Sequence, residues 1–249
     1  MTANTQIVFD EWNGYPAQRD GASMVISFDV AVTRGERPRN LELCARVMIP
    51  IHSPNESGCP VSPESEVLWE MEDELVAMLD QHTTTCRLVA RLTYNGLREL
   101  VFQLQDWESF RPPVGLWIMK HDDYELDVSE HEGWDFFDSY IQPDIEDHYF
   151  MADRSVVDSL VKNGSDPQKQ HSLEFVFMGP SEGLTRLADS LRDKGYMVVG
   201  ELNANFDRVI LAKALPLDLS LIVQESVANR LAAENMGVEY DGWGAAVVS

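Results

Sequence analysis

Apolar positions recur along this chain with two periods, and both halves show the same succession. Met24, Ile26, Phe28, Val30 and Val32 alternate with more polar residues, which predicts a half-buried strand. Leu41 to Ile51 is a second strand candidate. Gly58, Pro60, Ser62 and Pro63 then break the pattern, with Ser62 placed to cap a helix and Pro63 to open it. That helix runs to Gln81, with Leu68, Met71, Leu75 and Met78–Leu79 on one face. Glu64, Glu66 and Glu70 fall in its first turns, where the helix dipole favours acids. Arg87 to Tyr94 and Leu97 to Gln105 flank Asn95–Gly96. Asn-Gly between two alternating runs predicts a hairpin, because both turn positions need positive φ.

In the second half, Asp153 to Asn163 predicts a helix with Val156, Val157, Leu160 and Val161 on its apolar face, closed by Gly164. Leu173, Phe175 and Phe177 alternate along a strand from His171 to Met178. Leu184, Leu187, Ala188 and Leu191 stripe a helix from Ser181 to Lys194, which Gly195 stops. Tyr196 to Glu201 and Phe206 to Lys213 form a hairpin around Asn203–Asn205, and a last helix runs from Leu217 to Asn235. A β-α-β-β order in each half predicts an α+β chain of two domains, each a mainly antiparallel sheet with helices on one face. A β-α-β crossover inside the second sheet makes it ferredoxin-like.

Charge places the join between them. The formal net charge is −23. Residues 1–145 hold 26 acidic and 10 basic residues, and the remainder hold 16 and 9. Lys120 to His148 is the densest stretch and reads as a linker, with a short amphipathic helix carried by Trp134, Phe137 and Tyr140–Ile141. The domains expected are 1–142 and 151–249, with an acidic join at 143–150. A surface of this sign argues against direct nucleic-acid binding, which needs basic residues to displace counterions. It argues equally against an anionic membrane surface. A basic protein segment is the natural partner.

Residues 1–10 contain neither a basic n-region nor an apolar h-region, and Cys44, Cys59 and Cys86 lack paired spacing. The expectation is a cytoplasmic protein with reduced thiols. No phosphate loop, nucleophile elbow or zinc-ligand spacing is present. Neither catalytic residues nor a metal nor a cofactor is expected. A cation site on His121–Asp122–Asp123, His131–Glu132 and Asp144–His148 competes with a solvated acidic face.

Two stretches carry a family likeness. One is Asn163-Gly164-Ser165-Asp166-Pro167 followed by His171-Ser172-Leu173-Glu174-Phe175; the other is Val238-Glu239-Tyr240-Asp241-Gly242-Trp243-Gly244. Together they resemble the ribonuclease E inhibitor protein B family (regulator of ribonuclease E activity B) over residues 150–249. The family's His-His pair is missing, since Phe175 follows Glu174. Gly58-Cys59-Pro60, the Leu88–Phe102 hairpin and Trp134-Asp135-Phe136-Phe137-Asp138-Ser139-Tyr140 with Pro143 are similar to the domain-of-unknown-function family numbered 695. The first resemblance implies a non-catalytic regulatory protein that binds an endoribonuclease. An inhibitor or immunity protein of another toxin or nuclease is the alternative, and a metal-dependent hydrolase a third reading. Candidate contact residues are Tyr240, Asp241, Trp243, Asp166 and His171. Asp-Gly favours a tight turn that brings Tyr240 and Trp243 to one side. They then either lock the segment onto the sheet or form an aromatic anchor for an arginine.

Overall fold

A computed structural model describes residues 12–19, 21–199 and 207–249 of the chain. It divides into two compact units, Met1–Pro143 and Asp144–Ser249.

The first unit is built on a six-stranded antiparallel sheet in the order β1-β2-β4-β5-β3-β6. Its strands are β1 (Trp12–Arg19), β2 (Ala22–Asp29), β3 (Leu43–Pro50), β4 (Cys86–Tyr94), β5 (Leu97–Leu104) and β6 (Asp127–Glu132). The Asn95–Gly96 hairpin forms as its sequence predicts, with φ of 47° and 75° at the two turn residues. On one face, α2 (Glu64–Gln81) and α3 (Trp107–Lys120) cover Ala45, Val47, Ile49, Leu100 and Phe102. Leu68, Met71, Leu75 and Leu79 are the buried stripe of α2. On the other face, Arg46 pairs with the buried Glu99 while its guanidinium lies 4.1 Å from the Phe136 ring centroid.

Four details of this unit differ from the pattern-based expectation. The strand through Ile26 ends at Asp29, whose carboxylate accepts from Ala31 N (3.0 Å) and caps the turn α1 (Val30–Thr33). Pro63, not Ser62, is the N-cap of α2; the Ser62 hydroxyl donates to Glu66 instead (3.0 Å). Helix α3 carries Pro112 and Pro113, which hide its apolar period. Pro113 cannot donate to the Ser109 carbonyl, and the Thr84 hydroxyl donates to it in its place (3.0 Å). The stretch 120–148 is not a linker. Asp127–Glu132 pairs with β3 as an edge strand, and a π-helical turn at Phe137–Ile141 buries Phe137 and Ile141. Its acids decorate an edge, where charge discourages further pairing.

Gly58 fastens the hairpin tip. Its carbonyl accepts from Gly96 N (3.0 Å), and a Cβ built on it would stand 2.5 Å from Asn95 N. Its φ is +75°. Gly58→Ala is expected to destabilise the first unit by about 2 kcal/mol or more, read as a lower urea midpoint; an unchanged midpoint would contradict this packing.

The second unit has α4 (Ile145–Lys162), then β7 (His171–Met178), α5 (Ser181–Arg192), β8 (Met197–Val198), β9 (Arg208–Leu215), α6 (Leu219–Met236) and β10 (Glu239–Gly244). Its sheet is antiparallel in the order β10-β7-β9-β8. Leu173, Phe175 and Phe177 point into a core with Leu184, Leu187, Leu191, Val209, Leu211 and Ile222, whereas Ser172 and Glu174 are exposed. Thus helices cover one face of the sheet. The loop Asn203–Asn205 lies outside the described residues, but β8 pairs with β9 as a hairpin requires. Helix α4 begins two turns earlier than its apolar stripe predicts and takes in residues 145–150. Asp144 caps it, accepting from Glu146 N (2.8 Å) and Asp147 N (2.9 Å), and Asp147 reciprocates.

Candidate functional site: a carboxylate at the base of an aromatic cavity

Glu239–Gly244 forms an edge strand with a bulge, not a tight turn. Tyr240 pairs with Phe177 and Trp243 with Phe175, with the register shifting between them. Residues three apart on a regular strand face opposite ways. The extra residue in the bulge, helped by Gly242 at φ 96°, returns Tyr240 and Trp243 to the same side.

Both side chains converge on one acid of α4. Asp153 is 3% exposed. Its Oδ1 accepts from the Trp243 indole Nε1–H (2.7 Å) and the Ser226 hydroxyl (3.1 Å). Ser226 spends its only hydrogen there, so the Tyr240 hydroxyl donates to Ser226 Oγ (3.2 Å). Burial raises the Asp153 carboxyl above the usual aspartate range, against the two hydrogen bonds that lower it. Burial likewise pushes Tyr240 up, so its phenol stays protonated. A second polar set flanks Ser226 on α6: Tyr196 donates to Glu225 (2.5 Å), Lys213 pairs with Glu225, and Asn229 donates to Tyr196 (2.8 Å).

A cavity of about 380 Å³ opens between α4 and β10. Tyr149, Ala152, Asp153 and Val156 line it from the helix, and Tyr240, Asp241, Gly242 and Trp243 from the strand. Of the candidate contact residues, three meet here. Tyr240 is buried, Trp243 is half-buried and Asp241 is exposed at the mouth. Asp166 and His171 do not line it. Asp166 N donates to Val248 O (2.8 Å) and its Oδ1 accepts from Gln168 N (3.0 Å), while the buried Ser165 accepts from Val248 N (3.2 Å). The Asn163–Pro167 motif thus ties down residues near 248. His171 is fully buried, and its ring Nδ1 meets the Lys169 carbonyl at 2.9 Å.

Pattern reading misses Asp153 and Ser226. Asp at the expected start of a helix reads as a cap, and the true cap lies nine residues earlier. The available signal is the i, i+3, i+4, i+7 set Tyr149, Ala152, Asp153 and Val156, in which one acid sits on an otherwise apolar stripe.

The raised Asp153 carboxyl has a definite sign in stability. Between its ordinary value and its raised native one, the folded state holds a proton that the unfolded state has lost. This group's contribution to stability therefore falls as pH rises through that window and is lowest above it. Asp153→Asn keeps an acceptor for Trp243 and Ser226 and removes the desolvated charge. It is expected to leave the melting temperature at pH 7 unchanged or higher; a marked drop would mean that the charge itself holds the network.

Several other charged residues form pairs. In the first unit, a cavity of about 370 Å³ is lined in part by Trp12, Glu72, Arg87 and Arg91. Arg91 donates to Glu72 (2.5 Å), with its guanidinium 3.9 Å from the Trp12 ring centroid and 4.9 Å from that of Trp69. Arg87 pairs with Asp29. Glu74 takes Lys120 and His121, and Lys120 first holds its carboxyl below the usual range. Burial pushes the Cys44 thiol up to about 11 and Cys86 up to about 12, so both are poor nucleophiles at neutral pH. Among the described residues, no group of three or more His, Cys, Asp or Glu is placed to hold a metal ion. No described helix is long and apolar enough to cross a membrane.

Comparison with known proteins agrees with the division into two units. Residues 10–142 match the family of unknown function DUF695, and residues 150–245 match the family described as regulator of ribonuclease activity B. A curated relative, the regulator of ribonuclease activity B of Xenorhabdus nematophila, is 33% identical over 112 residues, covering 41% of this chain and 77% of the relative. A crystal structure of an unknown protein from Galdieria sulphuraria is 12% identical, covering 83% of this chain and 99% of that one at a TM-score of 0.21, too low to carry an argument. The chain therefore belongs to the regulator of ribonuclease activity B family through its second unit and to family DUF695 through its first.

Proposed function

We propose that this protein is a non-catalytic regulator that binds a basic segment of an RNA-processing endoribonuclease in the cytoplasm and changes its activity, making no direct contact with nucleic acid. The observation that carries this reading is the 33% identity to a protein named for ribonuclease regulation, across 77% of that protein's length. The net charge of −23 supports a basic partner, since opposite charge speeds encounter and selects against acidic competitors. The cavity between α4 and β10 supplies a contact point, with aromatic walls and Asp241 at its mouth. We read the second unit as ferredoxin-like, which its β-α-β-β-α-β order and strand order support.

Capture of a basic peptide from the ribonuclease scaffold, across a salt series, tests the proposal. Binding is expected at low salt and should weaken by about an order of magnitude as exposed charges are screened. No capture at low salt, or capture indifferent to salt, would sink it.

A further inference from the structure

The network around Asp153 leaves one atom unserved. Oδ1 takes both donors, the indole of Trp243 and the hydroxyl of Ser226. Oδ2 is buried and has no hydrogen-bond partner among the described residues. Buried polar atoms in folded proteins nearly always have a partner, so an orphaned carboxylate oxygen beside a cavity points to something that enters it. Asp153 lines the cavity between α4 and β10.

The cavity walls define the chemistry of the visitor. No lysine or arginine lines them. Arg230 lies 5.7 Å from the Tyr149 ring centroid, but it pairs with Glu234 and is not a lining residue. Ala152 and Val156 offer an aliphatic surface, Trp243 and Tyr149 offer rings, and Asp241 adds a second acid at the mouth. The volume, about 380 Å³, is at the low end of small-molecule sites. A long side chain with a cationic, donor-bearing tip and an apolar stem fits this combination. Of the two cationic candidates, arginine stacks its planar group on rings and is the more weakly hydrated, whereas an ammonium must give up more water to enter.

We propose that the cavity is a receptor for one arginine side chain of the partner protein, with the guanidinium donating to Asp153 Oδ2 and stacking on the Trp243 ring. The proposal rests on the regulatory reading above and deepens it. It makes Asp153 the specificity residue of the interface and Asp241 the charge that draws the arginine in. It also gives the bulge a purpose, since the bulge turns the Trp243 ring toward α4.

The test uses the full chain and a defined probe, Nα-acetyl-arginine methylamide, with its lysine and glutamate counterparts. The readout is the indole N–H resonance of Trp243, assigned by its loss in Trp243→Phe. The expected result is a saturable shift with the arginine probe, a response about fivefold weaker with lysine and none with glutamate. Asp153→Asn should weaken the arginine response about tenfold while the other indole resonances stay in place. Should that variant fail to fold, Ala152→Leu, which fills the cavity and leaves Asp153, is read in the same way. No shift, equal shifts with all three probes, or an undiminished response in the folded variant would overturn the proposal. Capture of the ribonuclease peptide is measured in parallel. Capture without a probe response sinks the arginine receptor alone, and a probe response without capture sinks the regulatory reading alone.

Discussion

Replacing Arg46 with Met is expected to cost the first unit about 3–5 kcal/mol, the loss typical of a buried ion pair stripped of one partner. Glu99 is 1% exposed and takes three hydrogen bonds from Arg46, at 2.7, 2.9 and 3.1 Å. It accepts a further one from the Tyr94 hydroxyl (2.6 Å), and burial with this acceptor pushes the Tyr94 phenol up. Removing the guanidinium leaves a carboxylate in the sheet with one donor. It also removes the cation beneath Phe136, which stacks on Tyr140 with centroids 5.3 Å apart. The double substitution Arg46→Met with Glu99→Leu should recover most of the loss, because it takes out both charges. Urea denaturation of the single and double variants checks this. Equal destabilisation of both would show that packing, not the unpaired charge, sets the cost.

The second large effect is expected at Trp243. Trp243→Ala should destabilise the second unit by about 2–4 kcal/mol, combining a cavity with a donor lost from a buried carboxylate. The ring lies 6.5 Å from that of Phe175, and its N–H is one of the two donors to Asp153 Oδ1. Trp243→Phe keeps the ring contact and loses only the N–H, so about half of that loss is expected. Thermal denaturation of the two variants separates packing from hydrogen bonding. A near-zero effect of Trp243→Ala would remove the residue from the structural network altogether.

Tyr240 and Trp243 differ in their surroundings. Tyr240, 8% exposed, belongs to the core with Phe177 and Phe175. Trp243 has one edge on Asp153 and a surface in the cavity. Sequence pattern located both because large aromatics flanking Asp-Gly are conspicuous. It missed the bulge, since Asp-Gly is equally at home in a turn. The polar residues buried along α6 are hidden for a different reason. Ser226 and Asn229 face inward from α6 and interrupt its apolar stripe, so no periodicity marks them as core.

Elsewhere, legibility followed how local the determinant is. Asn95–Gly96 fixes its hairpin through two backbone angles, and α5 announces itself through Leu184, Leu187 and Leu191. The edge strand Asp127–Glu132 owes its place to pairing with β3, a contact between residues some eighty positions apart. Its composition gave no hint of that pairing. Charge density therefore misreported a strand as a linker. The first unit takes up much of the acidity between Lys120 and Pro143.

The most direct test of the regulatory account is the initial rate of RNA cleavage by the purified endoribonuclease as the full chain is added at low ionic strength. The account predicts a saturable change in rate with wild-type protein, a much weaker one with Asp153→Asn, and no cleavage by the chain alone. A rate that stays constant up to a large excess of folded wild-type chain would contradict it.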